Sequence, residues 1–345
     1  MKINEIFVTT GHVFPFFFIY WKGDLMRRWR YFFLCFLFFC FVSVPLHAQS
    51  EAFCVMAQDG RVLYGEQLHQ IQSVASISKV MTAIIAIEHG DLSQEVTIGD
   101  EIKQAQGSSV YLKSGECYTL LDLLYGLLLR SGNDAALSIA KAVGGSEEQF
   151  VQWMNEKALE LGMNDTAFHN PSGLDEMDGG NQSTVYDMAL LMNYAMNNEM
   201  FAQITSASSH INEKGIQWIN KNKLLTQYPY AIGGKTGYTK QAGRTLVTCA
   251  KKEDVRIVIV TFRMSDDFQF HEQYYERSFE EYQNIPLLQE GAYILDGKQF
   301  VIEDAVGITT RRNAPYQVKE SYDAKGYRLE ANSEGHTVVY DYPWR

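Results

Sequence analysis

Cysteine is scarce, with five residues in 345 and none spaced C-x-x-C. Cys35 and Cys40 fall in an apolar leading segment, leaving Cys54, Cys117 and Cys249 with no histidine at ligand spacing. This argues against a zinc site and a full disulfide framework. Buried single thiols are expected, with one bridge left open. Positive charge is also short: 30 Lys and Arg face 41 Asp and Glu, a net charge of −11. Such a balance repels nucleic acid and removes it from the candidate partners. The leading apolar run, Tyr31 to Val44, is about fourteen residues, too short to span a bilayer comfortably. No closing amphipathic helix with a basic face is present, so C-terminal membrane attachment is not expected.

What is there suffices for a packed core: 46% of residues are hydrophobic, enough for one large domain and a small one. The basic start Met26 to Arg30, the run to Val44 and the Leu46-His47-Ala48 site read as a signal peptide cleaved after Ala48. Residues 1–25 carry another aromatic run, Phe16 to Trp21, which a signal peptide does not need. True initiation at Met26 explains this most simply; a membrane-retained hairpin of two short apolar segments is the alternative. The expected division is 1–48 as extension and signal, 49–284 as the main domain, and 285–345 as a small β-rich module without an assigned partner. Residues 1–48 hold five basic and two acidic side chains, so the exported chain would carry about −14.

The chain is organised around Val74 to Ala83, where Ser76 and Lys79 stand three residues apart as an apolar helical pattern begins. Positions i and i+3 share a helix face, which sets the Lys79 amine against the Ser76 hydroxyl. A serine is a weak nucleophile unless a neighbouring base takes its proton, and lysine is a base only when a dry pocket or a second cation lowers its pKa. The run Val80 to Ile87 offers the dryness.

Upstream, Ala52 to Met56 and Val62 to Tyr64 flank an Asp59-Gly60 turn and read as a hairpin. Glu95 to Ile98 reads as a short strand. Thr119 with Asp122 marks the start of an apolar helix that Ser131-Gly132-Asn133 ends, where polar side chains need buried partners. Helices are expected at Asp134 to Val143, Ser146 to Leu161 and Thr184 to Asn197. His169 lies in a turn-rich loop and is assigned no chemistry. Lys235-Thr236-Gly237 precedes two β-like runs, Leu246 to Ala250 and Val255 to Phe262, joined by a Lys251 to Asp254 turn. Glycine on such a strand leaves room for an extended peptide alongside. A helix follows from about Phe268 to Tyr282, then a boundary at Asn284-Ile285-Pro286, then strand-like segments at Tyr316 to Tyr322 and His336 to Tyr342.

Ser76-x-x-Lys79, Ser131-x-Asn133 and Lys235-Thr236-Gly237, in that order, form the trio shared by β-lactamases and penicillin-binding proteins. With the Asn170-Pro171-x-Gly173-Leu174 loop, Ser183-Thr184-x-x-Asp187 and Tyr238-Thr239 followed by Ala242-Gly243, the chain resembles the serine D-alanyl-D-alanine carboxypeptidases from about Ala52 to Tyr282. The resemblance implies an α+β fold: an antiparallel sheet flanked by helices, an all-helical subdomain and a cleft between them. It also implies a peptidoglycan stem peptide as substrate, β-lactams as covalent inhibitors and no cofactor or metal. In that frame Ser76 is the nucleophile, Lys79 its base and Ser131 a proton relay, with Lys235 close enough to hold the Lys79 pKa down. Asn133, Lys235, Thr236, Gly237 and Thr239 would bind substrate, and the Ser76 and Tyr238 amides would form the oxyanion hole. Gly132 in the middle motif suits the carboxypeptidase branch. No E-x-x-L-N segment supplies a deacylating carboxylate, and Asp175, Glu176 and Asp178 do not match its spacing. Two other readings stay open: a catalytically idle peptidoglycan-binding scaffold, and a β-lactamase or esterase of the same fold.

Overall fold

Alternating and doubly buried apolar runs set the central sheet. Val255–Phe262 (β5) is apolar on both faces, as a middle strand must be. It pairs antiparallel with Ala52–Ala57 (β1) on one side and Gly243–Lys252 (β4) on the other. The computed structural model describes residues 50–175 and 180–345, so the expected extension and signal segment, and Glu176 and Asp178, lie outside the described residues. Val62–Glu66 (β2) folds back on β1 around Gly60, whose φ of +82° meets the turn's demand. Ala231–Thr239 (β3) pairs with β4, giving the order β2-β1-β5-β4-β3 with β3 at the edge. The turn between β4 and β5 is tighter than expected. Lys251 and Lys252 belong to β4, and only Glu253 and Asp254 turn, with Glu253 at φ +54°.

The two faces of β5 bury different sets. Val258 and Val260 pack into the large core with the helical part of the chain, while Ile257 and Ile259 meet Tyr275 and Phe279 of Asp267–Glu281 (α7). The helical part is built from Lys79–His89 (α1), Leu120–Arg130 (α2), Asn133–Gly144 (α3), Glu147–Glu160 (α4), Val185–Ala195 (α5) and Glu199–Ser206 (α6). Thr119 caps α2 by accepting the Asp122 N–H at 3.2 Å, and Ser146, Thr184 and Asn198 cap α4, α5 and α6 likewise. Burial of α2 from Leu123 to Leu129 makes it a central helix, so whatever ends it lies inside the molecule.

Asn284 to Pro286, expected as a break, lies within a strand instead. α7 runs directly into Tyr282–Leu288 (β6), which pairs with Val306–Arg311 (β9). Pro286 is tolerated because β6 has a partner on one side only. Gly291–Leu295 (β7) and Lys298–Ile302 (β8) form a hairpin, and Gln317–Tyr322 (β10), Gly326–Ser333 (β11) and His336–Pro343 (β12) a three-stranded sheet. These strands enclose small cores around Phe300, Tyr327 and Leu329 and around Ile308 and Ala331. The β1–β2 turn grips them: Asp59 accepts the Thr309 N–H at 2.6 Å, and Arg61 donates to the Thr309 carbonyl at 3.0 Å and to Glu334 at 2.7 Å. All three described cysteines are free, and Cys117 is exposed on a short strand, not buried as expected. No described helix is long and apolar enough to cross a membrane.

Candidate active site

Ser76 is delivered by a 3-10 turn, Ala75–Ser78, that precedes α1, a tighter approach than the expected helical start. The i, i+3 geometry still holds, and Lys79 Nζ lies 3.0 Å from Ser76 Oγ. Lys79 is fully buried and touches two further oxygens, Asn133 Oδ1 at 2.6 Å and the Ser172 carbonyl. Both are pure acceptors, so they consume the two N–H groups of a neutral amine. Its lone pair is left for the Ser76 hydroxyl. Burial, and secondarily the charge of Lys221, push the Lys79 pKa down to about 7, against an opposing pull from Asp134. Near neutral pH the amine can therefore accept a proton.

Lys235 enters from β3, the sheet's edge, and is 1% exposed. It donates to Ser131 Oγ at 3.0 Å and to the Thr236 carbonyl at 2.5 Å. Burial, then Lys79 and Lys221, hold its pKa well below the lysine range. The three amines are coupled: Lys221 adds to the lowering of Lys79, a charge not expected from sequence, and Lys79 and Lys235 each disfavour a proton on the other. Ser131 caps α2 in the left-handed region at φ +64°, a strained setting for a non-glycine residue that aims its hydroxyl at Lys235. Among the described residues the hydrogen-bond partners of Lys79 are Ser76, Asn133 and Ser172. Ser131 is joined to Lys235 instead.

Asn133 opens α3 and spends its amide N–H on the Gln106 carbonyl while its oxygen holds Lys79. Gly237 on β3 lies against the nucleophile's backbone: a Cβ there would stand 3.1 Å from the Ser76 and Ile77 nitrogens and 2.3 Å from Thr245 Oγ1. Thr236 precedes it and Tyr238 follows, 67% exposed. Thr239 donates its hydroxyl to Asp175 at 3.0 Å and accepts the Ala242 N–H at 2.9 Å, so its proton is committed to the loop. His169 is exposed, and its backbone N–H donates to Asn181 Oδ1 at 2.7 Å.

Four residues of this wall were not assigned roles from sequence. Asp134 accepts the Val110 and Leu112 N–H groups and the Ser109 hydroxyl, fixing the segment that bonds Asn133. Asp175 ties Thr239 to Ser73. Lys221 donates to Ser108 Oγ at 3.1 Å. Ser172 offers its carbonyl because Asn170 Oδ1 accepts the Ser172 and Gly173 N–H groups, at 3.1 and 2.7 Å, and folds the loop onto α1. Asn-Pro-x-Gly announced a tight turn, but only the fold shows that its carbonyl meets Lys79.

Gly173 makes that approach possible. Its φ is +75°, and a Cβ would stand 2.1 Å from the Ala75 carbonyl oxygen and 2.5 Å from Ser78 Oγ. Gly173→Ala is expected to displace the Ser172 carbonyl, lower stability by roughly 2 to 4 kcal/mol and slow acylation of Ser76. Thermal denaturation read beside penicillin labelling checks this; unchanged values in both would contradict it.

The D-alanyl-D-alanine carboxypeptidase family model, Peptidase_S11, matches residues 41–266. D-alanyl-D-alanine carboxypeptidase DacF of Bacillus subtilis is 32% identical over 301 residues, covering 82% of this chain and 76% of that protein. DacB2 of Mycobacterium tuberculosis is 42% identical over 222 residues, 63% of this chain and 76% of that one. A crystal structure of a D-alanyl-D-alanine carboxypeptidase from M. tuberculosis H37Rv superposes with a TM-score of 0.63 at 35% identity, covering 69% of this chain and 94% of that one. A serine beside a buried lysine under a lysine-bearing edge strand, matched in sequence and fold, places the chain in the D-alanyl-D-alanine carboxypeptidase family.

Proposed function

We propose that this chain is a serine peptidase that removes the terminal D-Ala from peptidoglycan stem peptides ending in D-Ala-D-Ala. The observation that carries the reading is the Lys79–Ser76 contact of 3.0 Å in a pocket where both N–H groups of the amine are taken by acceptors. Ser76 Oγ attacks the penultimate D-Ala carbonyl as its proton passes to Lys79. The C–N bond then breaks, and the departing D-Ala amine takes a proton relayed by Ser131. Water cleaves the resulting ester and regenerates the serine.

The substrate would lie along the free edge of β3, with its terminal carboxylate at Lys235 and Thr236. A carboxylate there favours the ammonium form of Lys235, a charge-assisted contact that selects free C-termini. Gly237 keeps the strand close enough for the Ser76 and Tyr238 amides to share the oxyanion, each worth about 3 to 4 kcal/mol on general grounds. Asn133 would align the substrate amide with its remaining N–H, and Thr239 would shape this end of the site through Asp175.

The family works outside the cytoplasm. Export through the segment ending at Ala48 fits that setting, with any membrane retention confined to the N-terminal residues. We assign residue 49 through the end of α7 to the peptidase domain, with the β-rich module beginning at β6 and seated on the β1–β2 turn.

Incubating the purified protein with a diacyl-Lys-D-Ala-D-Ala peptide should release one D-alanine per peptide. Penicillin should form a long-lived covalent adduct, since no E-x-x-L-N carboxylate is present to hydrolyse it. Adduct without D-alanine release would favour the idle scaffold, and rapid nitrocefin turnover would favour a β-lactamase.

A further inference from the structure

The segment Asn220 to Asn222 is riveted between three walls of the site. Asn220 Nδ2 donates to the Thr205 and Ala207 carbonyls at 3.3 and 3.0 Å, at the end of α6. The Lys221 N–H bonds the Leu129 carbonyl at 3.1 Å, two residues before Ser131. Asn222 Nδ2 bonds the Gly233 carbonyl at 3.2 Å, two residues before Lys235. From this fixed backbone Lys221 reaches Ser108 Oγ at 3.1 Å. The Ser108 carbonyl in turn accepts the Asn133 N–H at 2.8 Å, and Asn133 holds Lys79.

Charge makes the placement consequential. Lys221, before the Leu224–Gln227 turn, brings positive charge toward the buried Lys79; Lys79 and Lys221 both act on Lys235 of β3, and Arg130 at the end of α2 acts on Lys221. On the acidic side Asp134 of α3 faces it, with its oxygens engaged by Val110, Leu112 and Ser109. Neither Lys221 nor Lys235 has an ion-pair partner among the described salt bridges. Lys221 is exposed at its place in the cleft wall, with partial burial and then Arg130 lowering its pKa from the usual lysine value.

We propose that Lys221 is a further positioning residue of this site, bracing the Gln106 to Leu112 wall through Ser108 and standing as a fixed positive charge beside the Lys79–Lys235 pair. It touches neither Ser76 nor Lys79 and acts through them, and the proposal rests on the peptidase reading above. The positive charge disfavours a proton on Lys79, in line with the depressed pKa of that amine. Removing it raises the Lys79 pKa, so less of the amine is free at neutral pH and the acid limb of the rate profile moves to higher pH. Solvent weakens the effect, and added salt weakens it further.

The test is the pH profile of Ser76 acylation by a fluorescent penicillin, whose carboxylate keeps one charge throughout. Lys221→Gln is expected to move the acid limb upward by roughly half a pH unit, lowering the rate at pH 6 about three-fold while the plateau near pH 9 stays within two-fold. Lys221→Arg should restore the wild-type limb, and raising salt should move the wild-type limb toward that of Lys221→Gln. A limb that stays in place while the plateau falls would overturn the proposal and make Lys221 a ligand grip or a structural brace. Failure of Lys221→Arg to restore the limb would overturn it as well. A wild-type protein that penicillin does not acylate at any pH would instead remove the peptidase reading, a separately recognisable result.

Discussion

Ser76→Ala will abolish penicillin labelling and leave D-alanine release at the level of the solvent reaction, a loss on the order of 10⁴-fold or more. The reason is positional. Among the described residues Ser76 Oγ is the hydroxyl in contact with Lys79 Nζ, at 3.0 Å, and it stands where Gly237 brings β3 against its backbone nitrogen. Ser131 cannot substitute, because its hydroxyl is held by Lys235 across the cleft. Deleting one oxygen from a partly exposed side chain barely changes packing, so the melting temperature should stay within about 2 °C. Mass spectrometry after penicillin treatment decides the matter: an adduct of the expected mass on the variant would show that another residue is the nucleophile.

Lys79→Met should be nearly as severe, lowering acylation by about 10³-fold or more. Methionine matches the lysine stem in length and suits a site that is fully buried, which separates loss of the base from loss of volume. The change strands Asn133 Oδ1 and the Ser172 carbonyl without their donor, at a cost of roughly 1 to 3 kcal/mol in stability for a buried acceptor. Relief from burying a lysine acts in the opposite direction, so net stability should move little while activity collapses. The residual rate should also lose the acid limb near pH 7 that the wild type owes to the depressed Lys79 pKa. A variant retaining that limb would show that another group titrates there. A rate within ten-fold of wild type would remove Lys79 as the base.

Much of the site was legible in the chain because it is made of local patterns. The i, i+3 spacing of Ser76 and Lys79, the cap at Thr119 and the polar break after an apolar helix each follow from helix geometry. The β-branched runs at Leu246 to Ala250 and Val255 to Phe262 announced a sheet, and the order of the three motifs named its family. The boundary at Asn284 to Pro286 misled because proline usually interrupts structure, whereas an edge strand accepts it where no hydrogen bond is required. The buried setting expected for Cys117 failed because its three-residue strand lies at the surface.

The sequence by itself determined which groups could do the chemistry: a hydroxyl, an amine one helical turn away, a second amine followed by glycine on a strand, and a surplus of acid elsewhere in the chain. Only the tertiary structure decided that a loop carbonyl at Ser172, some ninety residues from Lys79, completes that amine's shell, and that Lys221 adds its charge to the buried pair of lysines. The physical reason is that hydrogen bonding and burial depend on which distant segments share a cavity. A lysine pKa is set by that shared cavity, and no spacing along the chain encodes it.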